Sequence, residues 1–431
     1  MMQEKKKASI AVIGAGPSGL IASRILSNLP GFEHEVFERC SSVGGQWVYT
    51  DRTGIGEDGY PVHSAAYANL LSNGTRRLME FPDFKFPDGT PTFPSRAQIH
   101  KYLESYADHY HLRDRIHLKH IVTSVKRIDG GDAHRPRWLL TIKNTTTGAE
   151  RTGEFDAVFV CTGHYSTPYI PTIASIENFR GVVLHSHDYR HPEPYAGKSV
   201  TILGGGPSAF DLALDLGRHA SNVIVSVGQA DRLKLQEQYA AGKLPPNIIV
   251  VKWPEVIGEN AIRFADRDSA DDVDAIIYCT GYRHSYPFLD ESCGITIKGG
   301  KRVRPLFKHM INTKYQTMMF INAMVNVFDF TLAYAQVPFA VKILDGSLQL
   351  PSEEAMNADT EDEYERRLAA GKTLYHAHRW DDATTFSSEH YYTDLIAYAG
   401  LDHMLVGESQ VKILEARVVD NIYTYRDEVN I

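Results

Sequence analysis

The hydrophobic pattern near the start of the chain predicts a strand, a glycine turn and a helix in immediate succession. Residues 9–13 form a short apolar run, which is typical of a buried strand in a parallel sheet. Gly14, Gly16 and Gly19 follow in the spacing GxGxxG, and a helical apolar pattern covers residues 17–29. Such glycines permit a tight turn that brings a helix N-terminus close to a pyrophosphate. The pattern therefore predicts a dinucleotide-binding unit.

A second strand of this unit is predicted in "HEVFERC", where Glu38 stands 24 residues after Gly14 (38 − 14). A carboxylate at this place accepts hydrogen bonds from the ribose hydroxyls of an adenosine. GxGxxG alone is a weak signal, and a plain glycine-bearing turn is the alternative interpretation. The strand, the helix and the distal Glu38 occur together, which favours dinucleotide binding over a simple turn.

The same pattern returns in the middle of the chain. Residues 199–203 form the apolar run, and Gly204-x-Gly206-x-x-Ala209 forms the turn. Alanine at the third position still allows the helix to pack closely on the strand. The next predicted strand, "SNVIVSVG", ends near Ser226 without an acidic residue. Because a carboxylate there would repel a 2′-phosphate, its absence favours NADP over NAD.

A strand-like phrase also occurs twice, as "DAVFVCTGH" from Asp156 and as "DAIIYCTGY" from Asp274. Each copy has an acidic start, a buried apolar run and Cys-Thr-Gly. Such continuous apolar runs are expected where helices cover both faces of a sheet. We interpret each phrase as the last parallel strand of one nucleotide unit, with its glycine as a hinge point. Chance recurrence of a good buried-strand sequence is the alternative.

Composition excludes several classes of protein. The chain has 431 residues, which suggests two or three domains, and a formal charge of −8, which disfavours nucleic acid as a partner. The four cysteines are not arranged as CxxC, which disfavours a disulfide scaffold, a zinc site and a dithiol reductase; no metal site is expected. The apolar stretch at 317–344 is interrupted by polar residues, so no membrane anchor is expected. We expect a soluble protein, cytoplasmic, or secreted if a leader has been removed.

Between the two units lies "FRGVVLHSHDYR", which fits F-x-G-x-x-x-H-x-x-x-Y with Phe179, Gly181, His185 and Tyr189. With this motif the chain resembles the class B flavin-dependent monooxygenases, and in particular the flavin-containing monooxygenase family. "GGQW", "LLSNGTRRLMEFPDFKFP" and "DGSLQLPS" are similar to that family as well. Baeyer–Villiger enzymes usually carry Trp where Tyr189 stands. The closest resemblance is to insect members that N-oxygenate pyrrolizidine alkaloids.

The resemblance implies an α/β fold with two nested dinucleotide-binding (Rossmann-like) domains, in which an NADP(H) domain interrupts the FAD domain. We expect the first part of the FAD domain at 1–166, the NADP(H) domain at 167–282, and FAD-domain completion with a C-terminal helical substrate or interface region at 283–431. FAD would be held by Gly14, Gly16, Pro17, Ser18, Gly19, Glu38, Arg39, Gln46, Trp47, Val122, Thr162 and Gln336. NADPH would be held by Gly204, Gly206, Pro207, Ser208, Ala209, Ser226 and Thr280. Asn73 is the implied catalytic residue, although Asn73-Gly74 alone indicates only a turn, and His185 is expected to link domains structurally.

The activity implied by the resemblance is NADPH- and O2-dependent N-oxygenation of a tertiary amine, a plant pyrrolizidine alkaloid above all, through a C4a-hydroperoxyflavin. The cofactor carries the difficult chemistry in such enzymes, which agrees with the lack of a catalytic triad, metal cluster or carboxylate pair in the sequence. The alternatives are S-oxygenation of a thioether, Baeyer–Villiger oxygenation of a ketone, or a non-catalytic sensor that binds FAD and NADP(H).

The chain departs from the family pattern at three places. The family usually has Ser-x-Arg at the end of the second strand of the NADP unit, where this chain has Ser226 followed by Val227 and Gly228; Arg232 and Lys234 follow, but a solvated loop explains them equally well. Tyr334 replaces an acidic residue, and the chain closes with the charged segment "EARVVDNIYTYRDEVNI" where membrane-bound relatives have a hydrophobic tail.

The region after Pro351 is polar and rich in aromatic residues. It could line a substrate entrance or contact another subunit of a homo-oligomer. Ordinary packing is the favoured interpretation of its aromatic residues, which are Tyr364, Tyr375, Trp380, Phe386, Tyr391 and Tyr392.

Overall fold

The structure, a computed structural model, describes residues 7–128, 132–228, 244–265, 267–325, 329–380 and 388–401. Its helices are α1 (Pro17–Ser27), α2 (Arg76–Met79), α3 (Arg96–His109), α4 (Pro207–Gly217), α5 (Asp329–Leu344), α6 (Glu353–Ala369) and α7 (Ser388–Ala399). Its strands are β1 (Ala8–Ile13), β2 (Phe32–Glu38), β3 (Ile116–Leu118), β4 (His120–Ile128), β5 (Arg137–Asn144), β6 (Glu150–Phe155), β7 (Ala157–Val160), β8 (Thr167–Pro168), β9 (Val182–His185), β10 (Ser199–Leu203), β11 (Asn222–Ser226), β12 (Ile248–Val251), β13 (Pro254–Ile257), β14 (Ile262–Phe264), β15 (Arg267–Ala270), β16 (Ala275–Tyr278), β17 (Tyr282–Arg283), β18 (Thr296–Lys298), β19 (Arg302–Arg304), β20 (Leu306–Phe307), β21 (Ile311–Asn312) and β22 (Met318–Phe320). Arg232, Lys234, Phe386 and the closing segment lie outside the described residues.

Two separate sheets contain the predicted nucleotide units. The first has seven strands in the order β20-β21-β22-β7-β1-β2-β3, and the second has five in the order β12-β11-β10-β16-β9. The chain leaves the first sheet after β7, builds the whole second sheet, and returns to the first sheet at β20. This is the predicted nested α/β arrangement. In space β7 is an inner strand, because β22 pairs with it in parallel on the side away from β1.

The strands of the first sheet are apolar on both faces, but helices cover only one of them. Ile10 and Val12 of β1 belong to a core shared with α1, α3 and α5. Ala11 and Ile13 point to the opposite face and share a core with the antiparallel sheet β4-β5-β6. The expectation of helices on both faces was therefore wrong, because an antiparallel sheet buries the second face equally well.

The second sheet repeats this layering. Val200 and Ile202 pack in one core with Leu212 and Leu216 of α4. On the other face, Leu203 and Ile224 share a core with the small antiparallel sheet β13-β14-β15. The two nucleotide units therefore have the same three layers, each with a parallel sheet between a helical layer and an antiparallel sheet.

The duplicated phrase has matching contacts in both units, so chance recurrence does not explain it. At its acidic start, Asp156 accepts a hydrogen bond from the backbone N–H of Ser9 (2.8 Å), and Asp274 accepts one from the backbone N–H of Ser199 (2.8 Å). Each carboxylate therefore fixes the beginning of the neighbouring glycine-loop strand.

Near the other end of each phrase, the backbone of its cysteine packs closely against the first glycine of the loop. A Cβ on Gly14 would lie 2.6 Å from the carbonyl oxygen of Cys161, and a Cβ on Gly204 would lie 2.2 Å from that of Cys279. Both glycines also have positive φ, of +104° and +139°. Only glycine fits either position, because of both the close approach and the backbone conformation. All four cysteines of the chain are unpaired.

The two connections between the sheets run side by side. β8 and β17 form a short antiparallel pair just after the two copies of the phrase. Gly163 and Gly281, the expected hinge points, precede this pair with φ of +67° and +81°, a backbone conformation that glycine adopts readily. Nδ1 of His185 accepts from the backbone N–H of His187 (3.1 Å), so Nε2 carries the proton and donates to the carbonyl of Gly281 (3.1 Å). His185 thus holds one connection in place, as expected.

Among the described residues, no helix is long and apolar enough to cross a membrane. The apolar stretch at 317–344 contributes the inner strand β22 and the helix α5. Both are buried inside the protein, which explains their hydrophobic composition.

Candidate functional site

One large cavity opens between the two glycine loops. Its volume is about 1620 Å³, which exceeds the roughly 300–1,000 Å³ that is usual for a single small-molecule site. Both loops stand at the carboxyl ends of their parallel strands, where open α/β sheets bind ligands. Sixteen of the twenty residues implied by the resemblance line this cavity: Gly14, Gly16, Pro17, Ser18, Glu38, Arg39, Gln46, Trp47, Asn73, Val122, Thr162, Gly204, Gly206, Pro207, Ser208 and Thr280.

The two loops present helix N-termini to the cavity in the same way. Gly16 precedes α1 and Gly206 precedes α4, each with proline in the first turn and no side-chain cap. Proline has no N–H, so the N–H groups of Ser18 and Ser208 are the first that each helix leaves for a ligand, and the helix dipole favours an anionic one. Two pyrophosphate groups could be held in this way, one by each loop.

Glu38 stands at the end of β2 with both carboxylate oxygens engaged. One oxygen accepts from the backbone N–H of Ala15 (2.7 Å) and the other from that of Cys40 (2.8 Å). These bonds fix the carboxylate beside the glycine loop, and each oxygen keeps a further lone pair for a ligand hydroxyl. The neighbouring Arg39 forms an ion pair with Asp58 (3.5 Å) and donates to the carbonyl of Pro61.

Gln46 holds a wall of the cavity that the sequence did not reveal. Its amide nitrogen donates to the carbonyl of His63 (3.1 Å), and its amide oxygen accepts from the backbone N–H of Ala65 (3.0 Å). Residues 60–63, 65 and 66 line the cavity as a result. Burial, followed by the positive charge of Arg39, lowers the pKa of His63 to about 4, so this imidazole is neutral at pH 7.

Asn73 lies in a turn at the cavity wall, and its side chain is exposed there. The hydroxyl of Ser72 accepts from the backbone N–H of Gly74 (3.1 Å) and donates to the carbonyl of Gly74 (2.8 Å). The turn indicated by Asn73-Gly74 is thus present, and the hydrogen bonds of Ser72 stabilise it. The side chain of Asn73 is left accessible to a ligand in the cavity.

Four of the implied residues lie outside the cavity wall. A Cβ on Gly19 would lie 1.9 Å from the carbonyl oxygen of Gly14, so Gly19 serves close packing within the loop. Ala209 is fully buried at the corresponding place in α4. Ser226 is also fully buried and donates to the carbonyl of Lys252 (2.8 Å), which directs its hydroxyl into the protein.

Gln336 is the fourth, and it acts on the cavity through another residue. Its amide oxygen accepts from the backbone N–H of Asn322 (2.8 Å), and its amide nitrogen donates to Tyr391 (3.0 Å). Asn322 lines the cavity, has φ of +59°, and donates from its side chain to the hydroxyl of Ser18 (2.7 Å). Asn322 follows β22 at the carboxyl edge of the sheet, so the strand rule could have identified it.

The C-terminal region contributes directly to the cavity. Tyr375, His376, His378 and Arg379 line it, next to Lys301. This outcome favours the substrate-entrance interpretation of the region. Among its aromatic residues, Trp380, Tyr391 and Tyr392 are buried as packing residues, as expected. For Tyr375 the packing interpretation was wrong, because its side chain is 45% exposed in the cavity wall.

Lys301 is held in this wall between two tyrosines. Its ammonium group lies 4.7 Å from the ring centre of Tyr169 and 4.8 Å from that of Tyr375, and it donates to the carbonyl of Tyr282 (2.6 Å). Burial, with the nearby charges of Arg283 and Arg379, lowers its pKa to about 8. This part of the wall is therefore aromatic and cationic.

Two glycine loops on one cavity define a dinucleotide-dependent oxidoreductase in which two nucleotide cofactors can meet. A family model described as FMO-like, flavin-binding monooxygenase-like, matches residues 5–233 and 227–382. The chain therefore belongs to this family of flavin-binding monooxygenases.

Individual relatives agree with this assignment. Senecionine N-oxygenase of Tyria jacobaeae is 33% identical over 355 residues, which cover 82% of this chain and 75% of the relative. Trimethylamine monooxygenase of Roseovarius sp. (strain 217) is 31% identical over 373 residues, covering 84% and 80%. The solved structure of S-allyl-L-cysteine S-oxygenase from Allium sativum superposes with a TM-score of 0.84 at 27% identity, covering 98% of both chains.

Proposed function

We propose that this monooxygenase uses NADPH and O2 to N-oxygenate a tertiary amine, and that a plant pyrrolizidine alkaloid is the preferred substrate. The observation that carries the proposal is the single cavity shared by both glycine loops, with Asn73 on its wall. Similarity to an enzyme named senecionine N-oxygenase supports the alkaloid, and similarity to trimethylamine monooxygenases supports the tertiary amine.

The residues around the first loop fit FAD. The uncapped N-terminus of α1 takes the pyrophosphate through the loop of Gly14, Gly16, Pro17 and Ser18, with Gly19 behind it. Glu38 takes the adenosine ribose, with Arg39 beside it, and Val122 lies at the adenine, next to an irregularity in the pairing of β4. Gln46, Trp47 and Thr162 face the flavin, and Gln336 supports them through Asn322. The buried hydroxyl of Thr162 has no partner within the described protein, as a ligand-facing group would.

The residues around the second loop fit NADPH. Gly204, Gly206, Pro207 and Ser208 take its pyrophosphate at the uncapped N-terminus of α4, where Ala209 packs. Thr280 lies near the end of the second copy of the repeated phrase, beside this loop, and donates to the carbonyl of Tyr169. The hydroxyl of Ser226 points into the protein and does not reach the cavity. The proposed preference for NADPH therefore rests on the absence of an acidic residue at the end of β11. The domain limits 1–166, 167–282 and 283–431 belong to this proposal, and the β8–β17 pair near both inner limits supports them.

When bound, FAD supplies the redox chemistry by accepting a hydride from NADPH and activating O2. The protein has three tasks: to bind both cofactors, to orient them, and to keep water away from the reacting centre. Asn73 donates hydrogen bonds that hold the nicotinamide ribose and the flavin in a fixed position relative to each other. The positive charge of Lys301 in this wall opposes the binding of a second cation, so a bound amine would be held in its uncharged, nucleophilic form.

The test measures NADPH consumption, hydrogen peroxide release and product mass on the purified flavoprotein with senecionine and, separately, with trimethylamine. We expect faster NADPH consumption, little peroxide, and a mass gain of one oxygen atom on the amine. Steady peroxide release that no amine or thioether changes would contradict the proposal and indicate an NADPH oxidase or a sensor.

Two further substrates separate the alternative activities. S-oxygenation deserves its own assay because the S-allyl-L-cysteine S-oxygenase shares the whole fold. If S-allyl-L-cysteine were oxygenated with a higher kcat/KM than either amine, a thioether would be the substrate class. A cyclic ketone tests the Baeyer–Villiger activity, and an ester product from it would replace the N-oxygenase proposal.

A further inference from the structure

The first copy of the repeated phrase ends with two polar atoms that have no partner in the described protein. These are Oγ1 of Thr162 and Nε2 of His164, both buried and both on residues that line the cavity. His164 as a whole is only 6% exposed. A buried polar atom without a hydrogen-bond partner destabilises a protein and is therefore rare. We therefore expect a bound ligand to provide the hydrogen-bond partner of each of these two atoms.

The second copy of the phrase is an internal control for this observation. There the hydroxyl of Thr280 donates to the carbonyl of Tyr169, and Tyr282 stands where the first copy has His164. The Cys-Thr-Gly turn therefore does not itself require an unpaired threonine hydroxyl. The two unpaired atoms are particular to the copy beside Gly14.

The chemical state of His164 follows from its other nitrogen. Nδ1 lies 3.2 Å from the carbonyl oxygen of Asn322, which can only accept, so Nδ1 carries the proton. Burial lowers the pKa of His164 to about 4, so the ring is neutral at pH 7. Nε2 consequently presents a lone pair, and its missing partner is a hydrogen-bond donor.

The surroundings of His164 connect it to the first cofactor. Asn322, which binds Nδ1 through its carbonyl, also donates from its side chain to Ser18 in the first turn of α1. The preceding Cys161 lies against Gly14 of the same loop. His164 therefore belongs to the bonded framework of the FAD loop and not to that of the NADP loop.

We propose that Nε2 of His164 accepts a hydrogen bond from an O–H or N–H group of bound FAD, and that the hydroxyl of Thr162 makes a second contact from the same strand end. His164 is thus a cofactor-positioning residue that sequence analysis left without a role. The inference rests on the flavin binding of the family and not on N-oxygenation, so either proposal can fail alone.

Two substitutions at one position test the acceptor. In His164→Asn, the side-chain amide can still donate to Asn322, but no acceptor reaches the place of Nε2. In His164→Gln, the longer side chain brings an amide oxygen to that place. The measured quantity is the Kd of the apoprotein for FAD, from quenching of flavin fluorescence. We expect about a fivefold to tenfold higher Kd for His164→Asn and a Kd within about twofold of the parent for His164→Gln, because one hydrogen bond is involved.

Two outcomes would overturn the inference. A parental Kd for His164→Asn would show that Nε2 does not contact FAD, and equal losses in both variants would show that an acceptor at the place of Nε2 is not what FAD binding requires. The matched pair Thr162→Val and Thr201→Val extends the test, because Thr201 also has a buried hydroxyl without a partner in the described protein but does not line the cavity. The first should raise the Kd for FAD a few-fold, and the second should leave it unchanged. Far-UV circular dichroism of each apoprotein separates weaker binding from failure to fold.

Discussion

Asn73 is displayed at the cavity wall by a turn that its neighbour Ser72 fixes, so the turn does not depend on the Asn73 side chain. Asn73→Ala should therefore fold and bind FAD normally. The substitution removes the hydrogen-bond donor that we propose for the flavin and the nicotinamide ribose. We therefore expect the hydrogen peroxide formed per NADPH consumed to rise by roughly tenfold, as for the loss of one hydrogen bond. Peroxide and N-oxide formed per NADPH are the measured quantities.

The exposed Asn178 provides the matched control, since it does not line the cavity and Asn178→Ala removes the same group. It should give the parental ratio of N-oxide to peroxide. An unchanged product yield per NADPH in Asn73→Ala would show that Asn73 is only a turn residue, which is the interpretation that the Asn-Gly pair gives without the family.

Tyr334 shows how a local departure from the family pattern is compensated at a distance. The acidic residue that the family usually has here is missing, but the hydroxyl of Tyr334 donates to Asp83 and pairs with that of Tyr106 (2.7 Å). Asp83 in turn forms an ion pair with Arg24 of α1 (3.6 Å). The carboxylate is thus supplied by a residue 251 positions away in sequence, which no reading of the local pattern could have predicted.

At the scale of elements, the sequence signals succeeded where they are local. The loops at Gly14 and Gly204 follow from steric demands within a few residues, so their strands and helices were predicted closely; the first helix ends at Ser27 and not at residue 29. The wall formed by residues 60–63, 65 and 66 was not predicted, and the segment around Tyr375 was expected at the cavity only as one of two alternatives. Both depend on contacts across the fold, such as those of Gln46 with residues 63 and 65, and neither has a periodic pattern.

The end of β11 yields a prediction about cofactor choice. Gly228 stands where the family usually has the arginine of Ser-x-Arg, and a Cβ there meets no atom of the described protein within 4 Å. Gly228→Arg should raise kcat/KM for NADPH by several-fold, because its guanidinium can pair with the 2′-phosphate. Gly228→Asp should lower kcat/KM for NADPH by about tenfold or more and shift the preference toward NADH, since a carboxylate repels that phosphate.

Gly228→Ala is the control, because it adds only the Cβ and no charge. Steady-state kinetics with NADPH and NADH at one ionic strength give the four ratios of kcat/KM. If the arginine and aspartate variants both matched the alanine variant, the 2′-phosphate would not lie at the end of β11, and the proposed placement of NADPH would have to change.

At the scale of the whole molecule, the protein buries several histidines in their neutral form. Burial is the main cause in each case, and it lowers the pKa of His34, His63, His164 and His185 to about 4 and that of His284 to about 3. The ordinary pKa of histidine is about 6.5. Below pH 6.5 these histidines are protonated in the unfolded chain but stay neutral in the folded protein down to their lowered pKa. The folded state therefore loses stability relative to the unfolded state as the pH falls.

His34 allows a test of this pH dependence away from the cavity, because it lies on β2 and its Nε2 pairs with Ser23 of α1 (2.9 Å). Its stabilising contribution should be complete above about pH 6.5, fall by about 1.4 kcal/mol per pH unit below that, and level off near its folded pKa. In His34→Gln the drop in unfolding free energy between about pH 7.5 and about pH 4.5 should therefore be smaller by about 2–3 kcal/mol than in the parent, as measured by urea denaturation. The exposed His219 gives the control His219→Gln, which should show the parental drop. Equal drops in all three proteins would mean that His34 is protonated in the folded state, and that the acid sensitivity of the molecule comes from groups other than this buried imidazole.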